Sequence, residues 1–257
     1  YDITAIRFFV SGVILLPVYF RLRSSEVNMR AALIMAFCAG APYVLVTALG
    51  FVYAPAGHGG IIIPSTMLIC TMIGSWVLFG DRPDMLRSIG YVVVVLGIIF
   101  IGAKSFTSNT GNSLIGDLLF VVGGILWAIY TLANRVYGVS ALHSSTVVCV
   151  LSLVTFVPGY AATGMSNLWQ AGVGDILIQV LYQGVAIAIV GMICFTRTVV
   201  LLGPARGTLF AALVPASTIL LAIPVLGETP TIMELAGLFL VSSGMVLALG
   251  LFNRKAR

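Results

Sequence analysis

The sequence predicts an all-α polytopic membrane protein, and three observations support this class. First, 60% of the 257 residues are hydrophobic and only 8% are charged, whereas soluble domains carry roughly 25% charged residues. Second, Ala31–Gly80 runs for 50 residues without Asp, Glu, Lys or Arg, and a bilayer-crossing helix needs about 20 apolar residues. Third, the apolar runs lack the alternation of membrane-spanning strands. This composition excludes a soluble globule, a disordered chain and a nucleic-acid-binding domain.

Nine apolar segments, each about as long as one membrane crossing, follow one another along the chain. Their approximate bounds are 3–20, 31–51, 57–79, 85–103, 118–137, 144–164, 176–196, 207–226 and 233–252. If the loops alternate between the two sides, eleven of the 13 Lys and Arg residues fall on one side, Lys104 falls on the other, and Arg7 lies within the first span. Because basic loops stay in the cytoplasm, the C-terminus is predicted to be cytoplasmic.

Two segments of the chain match without gaps at a separation of 147 residues. The residues of the first segment that recur in the second are Gly60, Thr71, Gly80, Pro83, Gly90, Val94 and Gly97. Asp81, beside Arg82, corresponds to Glu228 in a loop without Lys or Arg. The copies therefore face opposite sides, which predicts an inverted-topology repeat of the kind that many secondary transporters contain.

The repeat predicts two five-helix halves, at residues 1–105 and 114–257. Each copy needs an odd number of helices to invert, and the second copy shows five predicted spans while the first shows four. We therefore expect one further helix before Tyr1, which makes the nine spans part of an intact set of ten.

Several short motifs resemble the EamA half of the drug/metabolite transporter superfamily. They are Leu226-Gly227-Glu228-Thr229-Pro230 followed by Gly237 and Gly244, Gly116-Asp117 with Trp127-Ala128-Ile129-Tyr130, and Ile6-Arg7-Phe8. The resemblance covers essentially the whole chain and implies a ten-helix permease or exporter. It also implies that the first four helices of each half line the pathway. Asp81 departs from the family, which usually has Glu at that position.

Polar and aromatic side chains recur at helical spacing on several spans, and such side chains share one helix face. Polar groups in lipid need partners, so these faces should meet protein or a water-filled cavity. The predicted substrate-binding residues are Arg7, Tyr43, Trp127, Tyr130, Tyr182 and Gln183. Two alternatives stay open: Arg7 reaches the interface by snorkelling, and Trp127 and Tyr130 are equally consistent with core packing.

The favoured function is a secondary transporter, a permease or exporter that moves small metabolites by alternating access. Amino acids or aromatic compounds fit best, because Arg7 is the only basic residue well inside a span and several cations would be needed for phosphates. A non-transporting sensor or scaffold is the alternative, followed by an intramembrane enzyme. No nucleotide-binding motif is present, and no catalytic set lies mid-span, so we predict no enzyme activity.

The expected partners are a small-molecule substrate and the lipid bilayer, with no nucleic acid; the sequence does not decide the oligomeric state. We expect no cofactor and no metal, since Cys38, Cys70, Cys149 and Cys194 lack metal-site spacing. The predicted location is the bacterial inner membrane.

Energy coupling is the least defined part of the prediction. The nine spans show no central carboxylate, and Asp117 is expected to cap the N-terminus of the fifth span. His58, at the start of the third span, is the candidate proton or gating residue, because an unperturbed histidine titrates near neutral pH. We expect facilitated transport or coupling through the helix before Tyr1, with His58 as the third option.

Overall fold

The computed structural model describes residues 1–22, 27–107, 112–164, 168–202, 214–227 and 230–248, which form helices and no strand. The helices are α1 (Asp2–Arg21), α2 (Met29–Ala39), α3 (Ala41–Tyr53), α4 (Ala56–Phe79), α5 (Met85–Thr107), α6 (Asn112–Tyr137), α7 (Ala141–Thr163), α8 (Val173–Gln179), α9 (Met192–Leu202), α10 (Val214–Leu226) and α11 (Ile232–Ala248). A 3-10 turn (Leu168–Gln170) precedes α8, and a π-helix (Val180–Gly191) joins α8 to α9. The predicted all-α class is confirmed.

Within the described residues, six helical stretches are long and apolar enough to cross a membrane. They are Asp2–Arg21, Met29–Tyr53, Ala56–Phe79, Ser113–Tyr137, Ala141–Thr163 and Val173–Leu201. The shorter apolar helices Met85–Phe100, Val214–Val225 and Ile232–Ala248 correspond to the other three predicted spans. The polytopic membrane class is therefore confirmed, while residues 207–213 and 249–252 of the last two predicted spans lie outside the described residues.

The second predicted span is interrupted near its middle, between α2 and α3. Gly40 separates the two helices, and a Cβ built there would lie 2.1 Å from the carbonyl oxygen of Ala36. The following Ala41 amide donates to Ser152 Oγ on α7 at 3.2 Å. Pro42 has no amide hydrogen to donate. A hydroxyl from a neighbouring helix thus satisfies the backbone at this break, as the bilayer interior requires.

The chain contacts divide into two compact units. The first unit contains residues 1–45 and 129–203, and the second contains residues 46–128 and 204–257. Each unit draws residues from both predicted repeats, whose bounds stay a prediction. In the first unit, α1 packs on α7 and the π-helix, and α2 and α9 also pack on α7. Leu15, Cys149 and Val150 form a buried core between α1 and α7.

In the second unit, α5 and α11 pack along one another, and α4 packs on α10 and α5. A Cβ built on Gly90 would lie 2.7 Å from the Gly244 carbonyl oxygen, and one on Gly97 would lie 3.0 Å from the Gly237 carbonyl oxygen. Gly90 therefore faces Gly244, late in α11, and Gly97 faces Gly237, earlier in α11, so α5 and α11 run antiparallel. The 147-residue shift takes Gly90 to Gly237 and Gly97 to Gly244, so it converts one contact into the other, as a two-fold axis requires. The inverted repeat itself stays a prediction.

Candidate functional site

Two clusters of charged and polar side chains, one in each unit, lie inside otherwise apolar helices. The Arg7 cluster, in the first unit, consists of Arg7, Tyr43, Tyr182 and Gln183. The His58 cluster, in the second unit, consists of His58, Asp117 and Glu234. The two clusters are described in turn, because their chemistry differs.

A guanidinium held by an amide defines the Arg7 cluster. Arg7 Nε donates to Oε1 of Gln183 at 3.0 Å, and Nη2 donates to the same oxygen. Gln183 reaches α1 because the next residue is Gly184: a Cβ at that position would lie 2.7 Å from Val10 Cβ. The missing side chain lets the π-helix approach α1 closely, as small residues do between membrane helices. The polar contact therefore depends on a local glycine.

The positive charge of Arg7 is not neutralised within the described part of the chain, where no carboxylate pairs with it. Its electrostatic neighbours are Tyr43, Tyr182 and Cys149. A guanidinium carries five N–H donors, and the Gln183 carbonyl oxygen accepts only some of them. A charge inside a span costs roughly 2.5–3.5 kcal/mol on insertion scales. The cluster is therefore suited to a ligand that brings an anionic acceptor.

Of the six predicted substrate-binding residues, Arg7 and Gln183 are in direct contact, and Tyr43 and Tyr182 lie within electrostatic range of the guanidinium. Tyr43 is half-buried, and the Tyr182 side chain lies 58% exposed on the π-helix. Trp127 lies half-buried on α6, one helical turn before Tyr130. Trp127 belongs to the second unit, and its role in binding stays a prediction.

Tyr130 lies in the first unit and is only 1% exposed. Its hydroxyl accepts a hydrogen bond from Ser144 Oγ at 2.9 Å and lies 3.0 Å from Thr196 Oγ1. These bonds connect α6, α7 and α9, which favours a packing role for Tyr130. The sequence interpretation did not include Ser144 or Thr196. The signal for Ser144 was the polar run 143–146 at the start of α7, where every side chain is buried.

A histidine between two carboxylates defines the His58 cluster. His58 Nδ1 lies 2.8 Å from Asp117 Oδ1, and Nε2 lies 3.2 Å from Glu234 Oε1. The three residues lie near the N-terminal ends of α4, α6 and α11. Helix N-termini carry partial positive charge, which stabilises nearby carboxylates. Both His58 (4% exposed) and Asp117 (6%) are buried.

Local structure places both carboxylates. Gly116 precedes Asp117, and a Cβ at Gly116 would lie 2.5 Å from Ala54 Cβ, so α6 passes close to the end of α3. Glu234 belongs to a capping box: the Thr231 amide donates to Glu234 Oε2 at 2.6 Å, and the Glu234 amide donates to Thr231 Oγ1 at 3.4 Å. One oxygen of Glu234 is thus fixed by its own helix while the other meets His58.

The prediction that Asp117 caps a helix N-terminus is wrong. The helix begins at Asn112, so Asp117 lies in its second turn and points its carboxylate at His58. The predicted start was too late because the polar and glycine residues before Leu118 resemble a loop. His58 was recognised from the sequence, whereas no pattern indicated that Asp117 and Glu234 meet it.

The His58 cluster does not resemble a metal centre. Its two carboxylates lie on opposite nitrogens of the imidazole ring, so the three side chains do not converge on one point. Across the described residues, no group of three or more His, Cys, Asp or Glu is arranged to hold a metal ion. The chemistry available to this cluster is hydrogen bonding and proton exchange.

Comparison with known proteins identifies the family. The model of the EamA-like transporter family matches residues 1–103 and 114–250. Uncharacterized transporter YrdR of Bacillus subtilis is 23% identical over 215 residues, which are 77% of this chain and 65% of that protein. An uncharacterized transporter of Clostridium kluyveri is 22% identical over 195 residues, covering 71% of this chain and 60% of that protein. The chain thus spans less than two thirds of the length of these relatives.

A longer match and a solved structure extend the comparison. Uncharacterized transporter YetK of Bacillus subtilis is 21% identical over 253 residues, covering 94% of this chain and 76% of that protein. One crystal structure superposes with a TM-score of 0.64 at 17% identity, covering 96% of this chain and 85% of the other. That likeness concerns the fold.

Proposed function

We propose that this chain, which belongs to the EamA-like transporter family, is the membrane part of a secondary transporter that moves small carboxylate-bearing metabolites by alternating access. Amino acids are the favoured substrates, and those with aromatic rings are favoured among them. The proposed location is the bacterial inner membrane, with the C-terminus in the cytoplasm. The family match and the relatives named as transporters support transport.

One observation carries the substrate class: the half-buried guanidinium of Arg7 is bonded to a neutral amide and to no described carboxylate. A carboxylate ligand would supply the missing negative charge and bind the guanidinium through two parallel N–H···O bonds. The amide nitrogen of Gln183 offers a further donor beside it. A single cation suits one carboxylate better than a phosphate, which favours amino acids over phosphorylated solutes.

The tyrosines of the Arg7 cluster support the aromatic preference. Tyr43 and Tyr182 are both electrostatic neighbours of the guanidinium. Aromatic pairs attract beyond their buried area by about 0.5–1.5 kcal/mol. A substrate ring beside either tyrosine would gain this attraction, while its carboxylate meets Arg7.

The position of the cluster suits a change of access. Arg7 lies on α1 and Gln183 on the π-helix, so a ligand bound to both would tie two separate elements together. Proline lies inside α1 (Pro17) and α7 (Pro158), where it weakens the hydrogen-bond ladder and permits bending.

The test is solute flux in liposomes containing the natural full-length protein. Radiolabelled aromatic amino acids should enter faster than into empty liposomes, and the unlabelled acid should compete at least about tenfold better than its amide, which lacks the charge for Arg7. Arg7→Gln should abolish this difference, whereas Arg87→Gln should retain it, because Arg87 pairs with Asp84 on an exposed turn at 3.8 Å.

Two results would contradict the proposal. If no solute of the panel moves faster than in empty liposomes, a sensor or scaffold becomes the better interpretation. If the amide competes as well as the acid, Arg7 does not recognise a carboxylate.

A further inference from the structure

We infer that His58, Asp117 and Glu234 form a proton-binding site and that proton exchange at this site drives solute movement. The driving role rests on the proposed transport function, whereas proton binding does not. The ligand is H⁺, taken up from water on one side of the membrane and released on the other.

The number of hydrogen-bond donors and acceptors in this cluster indicates an additional proton. A neutral imidazole has one N–H donor and one acceptor nitrogen, and an ionised carboxylate only accepts. Both ring nitrogens of His58 lie within hydrogen-bond distance of a carboxylate oxygen, at 2.8 and 3.2 Å. A neutral ring between two ionised carboxylates would satisfy only one of these contacts. One additional proton, on the ring or on either carboxyl group, satisfies both.

Among the described residues, the charged groups that act on the His58 ring are Asp117 and Glu234. Asp117 faces the ring from α6 and Glu234 from α11. Among the side chains that the structure describes, those of α5 and α10, which pack on α4, and those of α3 add no charged or titratable group that acts on the ring. Protonation of the His58 ring therefore depends mainly on its two carboxylate neighbours.

Apolar side chains pack beside the His58 cluster on one side. The rings of Phe51 and Phe120 lie 4.8 Å apart, and Phe120 forms a buried core with Ala54 and Ile62. A Cβ on Gly59, beside His58, would lie 2.5 Å from the Phe51 ring. His58 itself is only 4% exposed, so proton exchange needs one of the three helix ends to move.

The contact between His58 and Glu234 is the one that should open. It is the longer of the two, and the Glu234 side chain is 12% exposed against 8% for Asp117. With the proton bound, the cluster ties the N-terminal ends of α4, α6 and α11 together. After the proton leaves, the His58 ring has one N–H donor for two carboxylates, and the N-terminal end of α11 is released. Proton release is thereby linked to a movement of α11.

The first experiment measures proton binding without transport. Residues 1–257 contain two histidines, His58 and His143, so in ¹³C-histidine-labelled full-length protein the signal that disappears in His58→Gln is assigned to His58. Between about pH 5 and about pH 8, the His58 signal should change in a single titration step. The melting temperature should fall over the same pH range, because loss of the proton breaks a contact.

The step in melting temperature should be absent in His58→Gln and present in His143→Gln. The midpoint of the His58 signal should change when Asp117→Asn and Glu234→Gln are combined. An unchanged midpoint in this double variant, or a step retained in His58→Gln, would overturn the proton site.

The second experiment measures coupling in liposomes with an imposed pH gradient. His58→Gln should lose at least about tenfold of the gradient-driven accumulation, while exchange of labelled for unlabelled solute continues, because exchange needs no net proton movement. His143→Gln should retain both activities. Equal accumulation by His58→Gln and the natural protein would overturn the coupling. If the natural protein fails even to exchange solute, the proposed transport function fails, and the titration alone decides proton binding.

Discussion

In the first unit the buried charge is a guanidinium beside a neutral amide, whereas in the second unit two carboxylates share one imidazole. The first cluster is short of a negative charge and the second is short of a proton. Polar groups inside membrane spans are costly and tend to be functional. The comparison suggests two different ligands: an anionic solute in the first unit and H⁺ in the second.

Two glycines, one in each unit, differ in what an added Cβ would meet. In the second unit, a Cβ on Gly90 would lie 2.3 Å from the backbone nitrogen of Ala248. In the first unit, a Cβ on Gly184 would meet only the side chain of Val10, at 2.7 Å. Backbone has no alternative rotamer, whereas a side chain can shift. Gly90 should therefore tolerate added volume less well than Gly184.

The largest expected effect follows from this difference in packing. Gly90→Ala should lower the free energy of unfolding by about 3 kcal/mol, the upper part of the usual range for overpacking. Gly184→Ala should cost about 1 kcal/mol or less, because alanine favours the helix and Val10 can move. Equilibrium unfolding in detergent micelles measures both. Equal losses would show that the Gly90 and Gly184 contacts tolerate an added methyl group equally well.

The second prediction gives the first unit the carboxylate that it lacks. Gln183→Glu should pair with Arg7 and compete with the substrate, lowering solute affinity by about 30-fold if about 2 kcal/mol of charged hydrogen bonding is lost. Thermal stability should not fall. Gln179→Glu, one turn earlier, is the matched control, and its effect should be several-fold smaller. Unchanged affinity in Gln183→Glu would mean that Arg7 does not hold the substrate.

The third prediction compares the two carboxylates of the second unit. Asp117→Asn should destabilise the protein by about 2 kcal/mol, within the range for hydrogen bonds to charged groups. Glu234→Gln should destabilise it by about 1 kcal/mol, which is typical of a hydrogen bond. Asp117 makes the shorter and more buried contact, and glutamine at 234 keeps an oxygen for the Thr231 amide. Unfolding curves at one pH measure both variants, and the reverse order would argue against Glu234 as the opening contact.

The smallest effect concerns the hydroxyl network of the first unit. Tyr130→Phe removes the acceptor of the Ser144 hydrogen bond and should cost about 1 kcal/mol of stability. Tyr182→Phe, at an exposed position, should cost no measurable stability. Reduced solute affinity in Tyr130→Phe without a loss of stability would instead indicate that Tyr130 contacts the substrate, as the sequence first predicted.

Much of the fold was predictable because hydropathy is a local property. The described residues of the nine predicted spans correspond to helices in the structure, and the repeated glycines mark the close contacts of α5 and α11. The break at Gly40 and the early start of α6 were missed. In both places the outcome depends on a neighbour: Ser152 satisfies the backbone at the break, and Ala54 and Gly50 accept the close approach of Gly116.

The sequence by itself determined the membrane class, the spans, the family motifs and the residue types that can bind a solute or a proton. Only the tertiary structure decided which of them meet. Arg7 and Gln183 are 176 residues apart, as are His58 and Glu234, and Asp117 is 59 residues from His58. Composition and periodicity report which face of a helix is polar. The partner of that face is set by packing, because glycine contacts such as Gly184 against Val10 allow two helices to come within hydrogen-bond reach.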